Sequence, residues 1–169
     1  MDQAAVTLRG YVIERFRAEG IQLSPEELGG TPNELQGHEL KEMVEQLLET
    51  TEELNTNTEL QRLISEVSVY CIQDVFFATT KEIFPYGINW GKVAVLHHLP
   101  YKLIHRAHTQ NQPQVMVNII NDSTVNQRIH LQKCLKTCFH FVIMGYCDVI
   151  MGYCDVIMGY CDVIMGYCV

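Results

Sequence analysis

Positive charge is scarce in this chain. Twelve Lys and Arg stand against twenty Asp and Glu, for a formal net charge of −8 at pH 7. Proteins that grip a phosphate backbone do so with clustered cations that displace counterions, so nucleic acid is excluded as a partner. A secretory leader is also missing: Met1 to Gly20 carries Asp2, Glu14 and Glu19 among its apolar residues, so the chain is expected to start in the cytosol. Seven Cys are present, but four recur every seventh residue near the C-terminus and Cys71, Cys134 and Cys138 stand apart. Without a Cys-x-x-Cys spacing there is no disulfide framework or zinc site to read, and free thiols are expected. The sequon Asn121-Asp122-Ser123 carries no weight without export. Nor is there a Gly-x-Ser-x-Gly elbow, a P-loop, a His-Glu-x-x-His or a Cys-His pair at catalytic spacing. Hydrolase, kinase and metalloprotease readings therefore have no support, and no catalytic residue, cofactor or small-molecule substrate is expected.

What is present is helical periodicity. Ala5, Leu8, Val12, Ile13 and Phe16 recur at helical spacing, with Arg9, Glu14 and Arg15 placed elsewhere on the cylinder, which predicts a first amphipathic helix. Gly20 to Gly37 collects Pro25, Gly29, Gly30 and Pro32 with few large apolar residues, the composition of a mobile loop. Leu40, Met43, Leu47 and Leu54 share the register of a second helix, in which Thr50 and Thr51 stand where another apolar knob could be. Leu60, Leu63, Ile64 and Val67 mark a short third helix, and Ile72, Val75, Phe76, Ile83 and Phe84 a fourth. Pro85-Tyr86-Gly87 reads as a turn. From Ile88 to Ile104 apolar residues fall all round the cylinder, as in a helix buried inside a bundle. Asn89 suits the N-cap of that helix. Gly91, just inside it, costs about 1 kcal/mol relative to Ala and implies a closely approaching backbone. Asn111 and Pro113 punctuate the start of a sixth helix, whose Val115, Ile119 and Ile120 should face the core. The expected fold class is all-α, a bundle around a central apolar helix. It would be built from residues 1–141, since about 140 residues are enough for a single core, with 142–169 as a tail.

The decapeptide Gly87-Ile88-Asn89-Trp90-Gly91-Lys92-Val93-Ala94-Val95-Leu96 holds the only Trp. It resembles the first homology motif of the Bcl-2 family, Asn-Trp-Gly-Arg at the start of the central helix. Leu54-Asn55-Thr56-Asn57-Thr58-Glu59-Leu60-Gln61-Arg62 and Asp74-Val75-Phe76-Phe77 resemble flanking segments of the family's Bax-like, pro-apoptotic branch. The resemblance runs from about Ala5 to about Leu131 and implies a Bcl-2-like helical bundle, incomplete at its C-terminus. It further implies a regulator of apoptosis that forms homo- and hetero-oligomers with Bcl-2 family proteins by helix-in-groove contact, residing in the cytoplasm and acting on activation at the mitochondrial outer membrane.

Carried over residue by residue, the apolar knobs of the family's death motif fall on Met43, Leu47, Thr50 and Leu54. The small residue is Thr51, the acid Glu52 and its basic partner Lys92, in a groove formed by Gly87, Asn89, Trp90, Gly91, Lys92 and Val93. Glu for Asp and Lys for Arg keep the charges complementary but lose the planar two-pronged bond of a guanidinium. Thr50 is the larger departure, because a buried aliphatic knob is worth roughly 1.5–3 kcal/mol and its loss lowers affinity about tenfold or more. The resemblance also implies that this helix stays folded inward until activation releases it.

Two further features qualify the central helix. His97, His98, His105 and His108 crowd it, but only His105 and His108 lie one turn apart on a shared face. A metal needs three or four convergent ligands, so no metal is expected and the imidazoles should be partly solvated or hydrogen-bonded. A pH-sensitive element is the alternative, with imidazoles charging near neutrality to push the helix from its bundle. Pro100 should kink the helix and leave the Leu96 carbonyl without its usual donor.

Val142 to Val169 repeats Val-Ile-Met-Gly-Tyr-Cys-Asp without variation except at the last residue, as a recently duplicated coding unit would. As a helix it would be about 42 Å long, enough for a bilayer core of roughly 30 Å. However, Asp155 near its middle costs about 2.5–3.5 kcal/mol against about 0.3–0.6 returned by each Val or Ile. The competing outcome is strand-type aggregation through Val-Ile-Met-Gly-Tyr-Cys. Three functional alternatives follow: a truncated, non-pore-forming family member or decoy, a membrane-active structural protein working through the tail, and a His-rich metal-binding module.

Overall fold

The computed structural model describes residues 3–68, 71, 72, 74 and 90–124, with the backbone alone at 63 and 90–92. The predicted fourth helix beyond Ile72 and Asp74, the Pro85-Tyr86-Gly87 turn, the Asn89 cap and the 142–169 repeat lie outside the described residues. Within them every regular element is helical: α1 (Gln3–Ala18), a 3-10 turn (Pro25–Leu28), α2 (His38–Thr50), α3 (Glu52–Thr56), α4 (Thr58–Glu66) and α5 (Trp90–Thr109). A last helix, α6, runs over 113–124.

Two helices share the interior. α5 is buried at every position from Val93 to Leu99, as its all-round apolar pattern required. α1 is the surprise: it packs on both α2 and α5, and its burial extends to Arg9 and Arg15. The solvated polar face expected for those cations is thus corrected, because α1 is covered on nearly every side and its charges had to find partners inside. Aromatic edges join the two buried helices. Tyr11 and Tyr101 ring centroids lie 6.1 Å apart and Phe16 and Tyr101 5.8 Å apart, both edge to face, a geometry that adds to simple area burial.

Helix ends follow local chemistry. α1 closes with Ile21 N–H on the Phe16 carbonyl and Gly20 N–H on that of Arg17, both at 3.0 Å, with Gly20 at φ 78°. This is the paired bonding of a Schellman cap, which needs a left-handed residue. α5 ends in the same way, with Gln112 N–H on Ala107, Asn111 N–H on His108 and Asn111 itself at φ 55°. Pro113 then opens α6, where its missing N–H is harmless. Ile119 and Ile120 reach the core as expected, with Met116 beside them, whereas Val115 is half-buried. α4 begins where Asn57 accepts the Leu60 N–H at 2.8 Å and buries Leu60 and Ile64.

Three expectations can be set against these helices. The 20–37 segment is irregular apart from its 3-10 turn, as expected of a loop, but it is pinned to the bundle at two points. Leu28 is fully buried, and Glu34 reaches back to Arg9 in a two-pronged pair, one arm Arg9 Nη2 to Glu34 Oε2 at 3.0 Å. α5 runs through Pro100 from Trp90 to Thr109; Pro100 brings no N–H to the Leu96 carbonyl, as expected, though Leu96 itself is not left without a partner. Packing on all sides outweighs the local cost of the missing donor. Finally, Cys71 is disulfide-bonded rather than a free thiol. A disulfide needs two cysteines brought within about 6 Å, a proximity that spacing along the chain does not reveal.

Candidate functional site

The death-motif residues fall on α2, α3 and the residue between them. Met43 and Leu47 are buried on α2 and Leu54 on α3, so these knobs face the chain's own core. Thr50 is half-buried, and its hydroxyl donates to the Gln46 carbonyl at 2.8 Å. The single helix expected across this stretch is interrupted at Thr51, where φ −91° and ψ 3° leave the helical basin. Asn55 N–H still bonds to the Thr51 carbonyl at 2.9 Å, so the chain bends rather than turns away. The Thr51 hydroxyl also bonds back to the Leu47 carbonyl at 2.7 Å, a contact known to bend helices.

Thr51 is fully buried, and it sits at the centre of a polar cluster. Its hydroxyl is 2.6 Å from Tyr11 Oη and receives Arg15 Nη2 at 2.6 Å. Arg15 also donates to Tyr11 Oη at 3.1 Å, to the Leu48 carbonyl at 3.0 Å and to Glu52 Oε2 at 3.0 Å. From α5, His98 Nδ1 closes the cluster 2.8 Å from Tyr11 Oη. The small residue and the acid of the motif are therefore both held by α1. Burial alone would depress the Arg15 guanidinium, but the charges and hydrogen bonds of Tyr11 and Glu52 outweigh it and raise its pKa. Burial likewise raises the Tyr11 phenol. Both groups keep their protons at any physiological pH.

The groove residues are less fully placed. Val93 is buried, and Trp90, Gly91 and Lys92 form the first turn of α5, while Gly87 and Asn89 lie outside the described residues. The Lys92 side chain also lies outside them, so Glu52 is described by its bond to Arg15. Sequence reasoning missed Tyr11, Arg15 and His98. A signal was available, since Arg15 falls in register with Leu8, Tyr11 and Val12 on the core stripe, and a cation there demands buried partners.

The histidines split into two pairs. His105 and His108 flank the Phe16 ring at 5.3 Å, with His105 Nε2 2.6 Å from Glu19 Oε2. His97 and His98 are fully buried. His97 Nδ1–H donates to the Val93 carbonyl at 2.7 Å, so its Nε2 is an unprotonated acceptor, buried with no partner among the described residues; the same holds for His98 Nε2. Burial lowers the His97 pKa to about 4 and, with Lys102 and Arg15 adding, carries His98 well below 6.5. The notion of central imidazoles charging near neutrality is corrected for these two, because the core leaves no water to solvate the cation. Groups with folded pKa values below their unfolded ones bind protons more readily when unfolded, so stability is full above about pH 6.5 and falls as pH drops towards 4. Each should contribute a slope of about 1.4 kcal/mol per pH unit in that window. Urea unfolding at pH 6.5 and 4.5 should show the fall, and His97→Gln should remove one such increment; an unchanged slope would contradict the burial of a neutral imidazole. Among the described residues no group of His, Cys, Asp and Glu is placed to hold a metal.

The described residues thus form a helical bundle with two interior helices and a bent amphipathic segment strapped to one of them. Residues 33–135 match the family model described as apoptosis regulator proteins, Bcl-2 family. The chain belongs to the Bcl-2 family. It is 29% identical over 121 residues to the apoptosis regulator BAX of Bos taurus and 28% identical over 121 residues to that of Homo sapiens, in each case across 71% of this chain and 62% of the relative. It thus spans less than two thirds of the length of those relatives. The crystal structure of chicken BOK matches with a TM-score of 0.63 at 25% identity, covering 84% of this chain and 96% of that one. The Bax-like character expected from the motifs is borne out, as is the helical fold class.

Proposed function

We propose that this chain regulates apoptosis by helix-in-groove contact with other Bcl-2 family proteins, in homo- and hetero-oligomers. The helix it offers is the α2–α3 segment carrying Met43, Leu47, Thr50, Thr51, Glu52 and Leu54. The groove that receives such a helix opens at Gly87, Asn89, Trp90, Gly91, Lys92 and Val93. The observation that carries this reading is the motif's double character: its knobs Met43, Leu47 and Leu54 are core residues, yet its small residue and acid are held by polar bonds to α1 rather than sealed in an apolar layer. Polar straps of this kind can be exchanged for equivalent bonds in a partner, which a dry core contact cannot. Action at the mitochondrial outer membrane, reached from the cytoplasm on activation, is the finer part of the same proposal.

A groove test follows from charge. Lys92→Glu should weaken binding of a family death-motif peptide about tenfold, the range of a single interfacial ion pair. A peptide with its acid changed to Lys should recover part of that loss. Equal affinities across all four combinations would remove the Lys92 contact from the account.

A second reading, a family member that binds partners without forming pores, is favoured by α5. Besides Pro100 it carries Lys102 and Arg106, each costing about 2.5–3.5 kcal/mol at a bilayer centre. Among the described residues no helix is long and apolar enough to cross a membrane. Liposome leakage that depends on an activating peptide supports permeabilisation, and binding without leakage supports the second reading.

A further inference from the structure

α4 and α5 part beside the C-terminal end of α1 to leave an open cleft of about 400 Å³. Lys102, His105 and Arg106 line its α5 side, and Gln61 and Ser65 its α4 side. Ser65 is exposed, and its hydroxyl donates to the Arg62 carbonyl at 2.6 Å, within its own turn. Arg106 already spans the two helices, donating from Nε to the Val67 carbonyl at 3.3 Å, two residues beyond Ser65. Lys102 is half-buried with its ammonium 5.3 Å from the Tyr101 ring centroid, and it forms no ion pair among the described residues. Burial lowers its pKa, so an added negative charge nearby would be welcome. The acid in the cleft, Glu19, is already engaged, accepting from the Tyr101 hydroxyl and meeting His105 Nε2, each at 2.6 Å.

Chain order adds a second, independent feature. Arg62 stands three residues before Ser65, the spacing at which a serine kinase with an acidic substrate groove takes hold of its target. α4 stops one residue after Ser65, and Val67 is already extended at φ −65° and ψ 125°. Presenting the hydroxyl therefore needs only the last turn to fray, the least stable part of a helix.

We propose that Ser65 is a phosphorylation site whose phosphate is received by this cleft on Lys102 and Arg106. The γ-phosphoryl group of a nucleoside triphosphate would pass to Ser65 Oγ: the new P–O bond forms as the bond to the β-phosphate breaks, the hydroxyl proton goes to the kinase base, and the diphosphate leaves. The group brings about −1.5 to −2 charge at pH 7. Repulsion opposes it, from the carbonyl end of α4 and from Glu66 and Glu19. Glu66 is already bonded to Arg62 at 2.6 Å and Glu19 to its two partners, whereas Lys102 is balanced only by the longer-range charge of Glu19 and lies close to low-dielectric surroundings, where a charge pair is strongest. Attraction wins, and the phosphate braces α4 against α5. This goes beyond the groove reading and does not depend on it.

The full chain, treated with a basophilic serine kinase and magnesium ATP, should gain one phosphate that fragmentation mass spectrometry places on Ser65. Arg62→Ala should slow labelling about tenfold, the worth of one charge-assisted contact. By phosphorus NMR the phosphate, whose second pKa is about 6 when free, should titrate about one unit lower and return towards the free value in Lys102→Met and in Arg106→Gln. Label on other residues alone overturns the modification site. A phosphate on Ser65 that titrates at or above the free value overturns the cleft as its receiver.

Discussion

An Arg15→Met chain should offer its α2–α3 segment to a groove-bearing family partner about 30-fold more readily than the unaltered chain, an opening made cheaper by about 2 kcal/mol. Arg15 is the group that joins α1 to the motif. Its bonds to Thr51 Oγ1, the Leu48 carbonyl and Glu52 converge on the bend between α2 and α3. Hydrogen bonds to a charged group are worth about 1.5–3 kcal/mol each, but they are not all lost in full. The Glu52 side chain is 60% exposed, so water replaces Arg15 there and that pair counts for little. Thr51 keeps its bonds to Tyr11 and Leu47. The Met body refills the space and relieves the cost of a buried cation, which can make such replacements neutral for global stability. What remains is a local loss at Leu48 and Thr51, directed at the segment that must leave. Partner capture in solution, compared with global unfolding by urea, separates the two effects. Capture unchanged while stability falls would show that Arg15 only supports the fold.

The second large effect concerns the Arg9–Glu34 pair, in which the two side chains are 8% and 1% exposed. Glu34→Ala leaves a guanidinium buried without its counter-charge, an event that costs about 3–5 kcal/mol. Native stabilities are only about 5–15 kcal/mol, so the melting temperature should fall by roughly 10 °C or more. Gly30 lies against the pair so closely that a methyl group there would collide with both side chains, which leaves little room for either to swing away. Replacing both charges, Arg9→Met with Glu34→Leu, should recover most of the loss, because a buried pair and an apolar pair of similar size are near equals. A single variant that melts within a degree of the parent would mean that Arg9 finds water.

These two cases mark where sequence reading ends. The apolar faces of α1, α4 and α6 were legible because each is a local pattern with a period of 3.6 residues, and the breaks at Gly20 and Asn111 were legible because their chemistry is local too. Arg9 and Glu34 are separated by 25 residues and Arg15 and Glu52 by 37, and no periodicity pairs charges across such distances. The same blindness hid how the Gly- and Pro-rich loop is pinned, by Leu28 in the core and Glu34 on Arg9. The burial of α1 on nearly every side also enclosed Arg9 and Arg15, and although the register of Arg15 placed it on the core stripe, nothing local named its partners. Of the candidate site, the core position of Met43, Leu47 and Leu54 followed from the pattern. The strap on Thr51 and Glu52 did not, because it comes from a helix nearly forty residues earlier.

Amide hydrogen exchange at Thr51 and Asn55, whose N–H groups bond to the Leu47 and Thr51 carbonyls on either side of the bend, tests the inward-held motif most directly. In the unaltered chain these amides should exchange as slowly as those of buried α5, and in Arg15→Met they should exchange at least about tenfold faster while α5 is unchanged. Rapid exchange of both amides in the unaltered chain, or equal acceleration of these two and of α5, would contradict a motif strapped to α1.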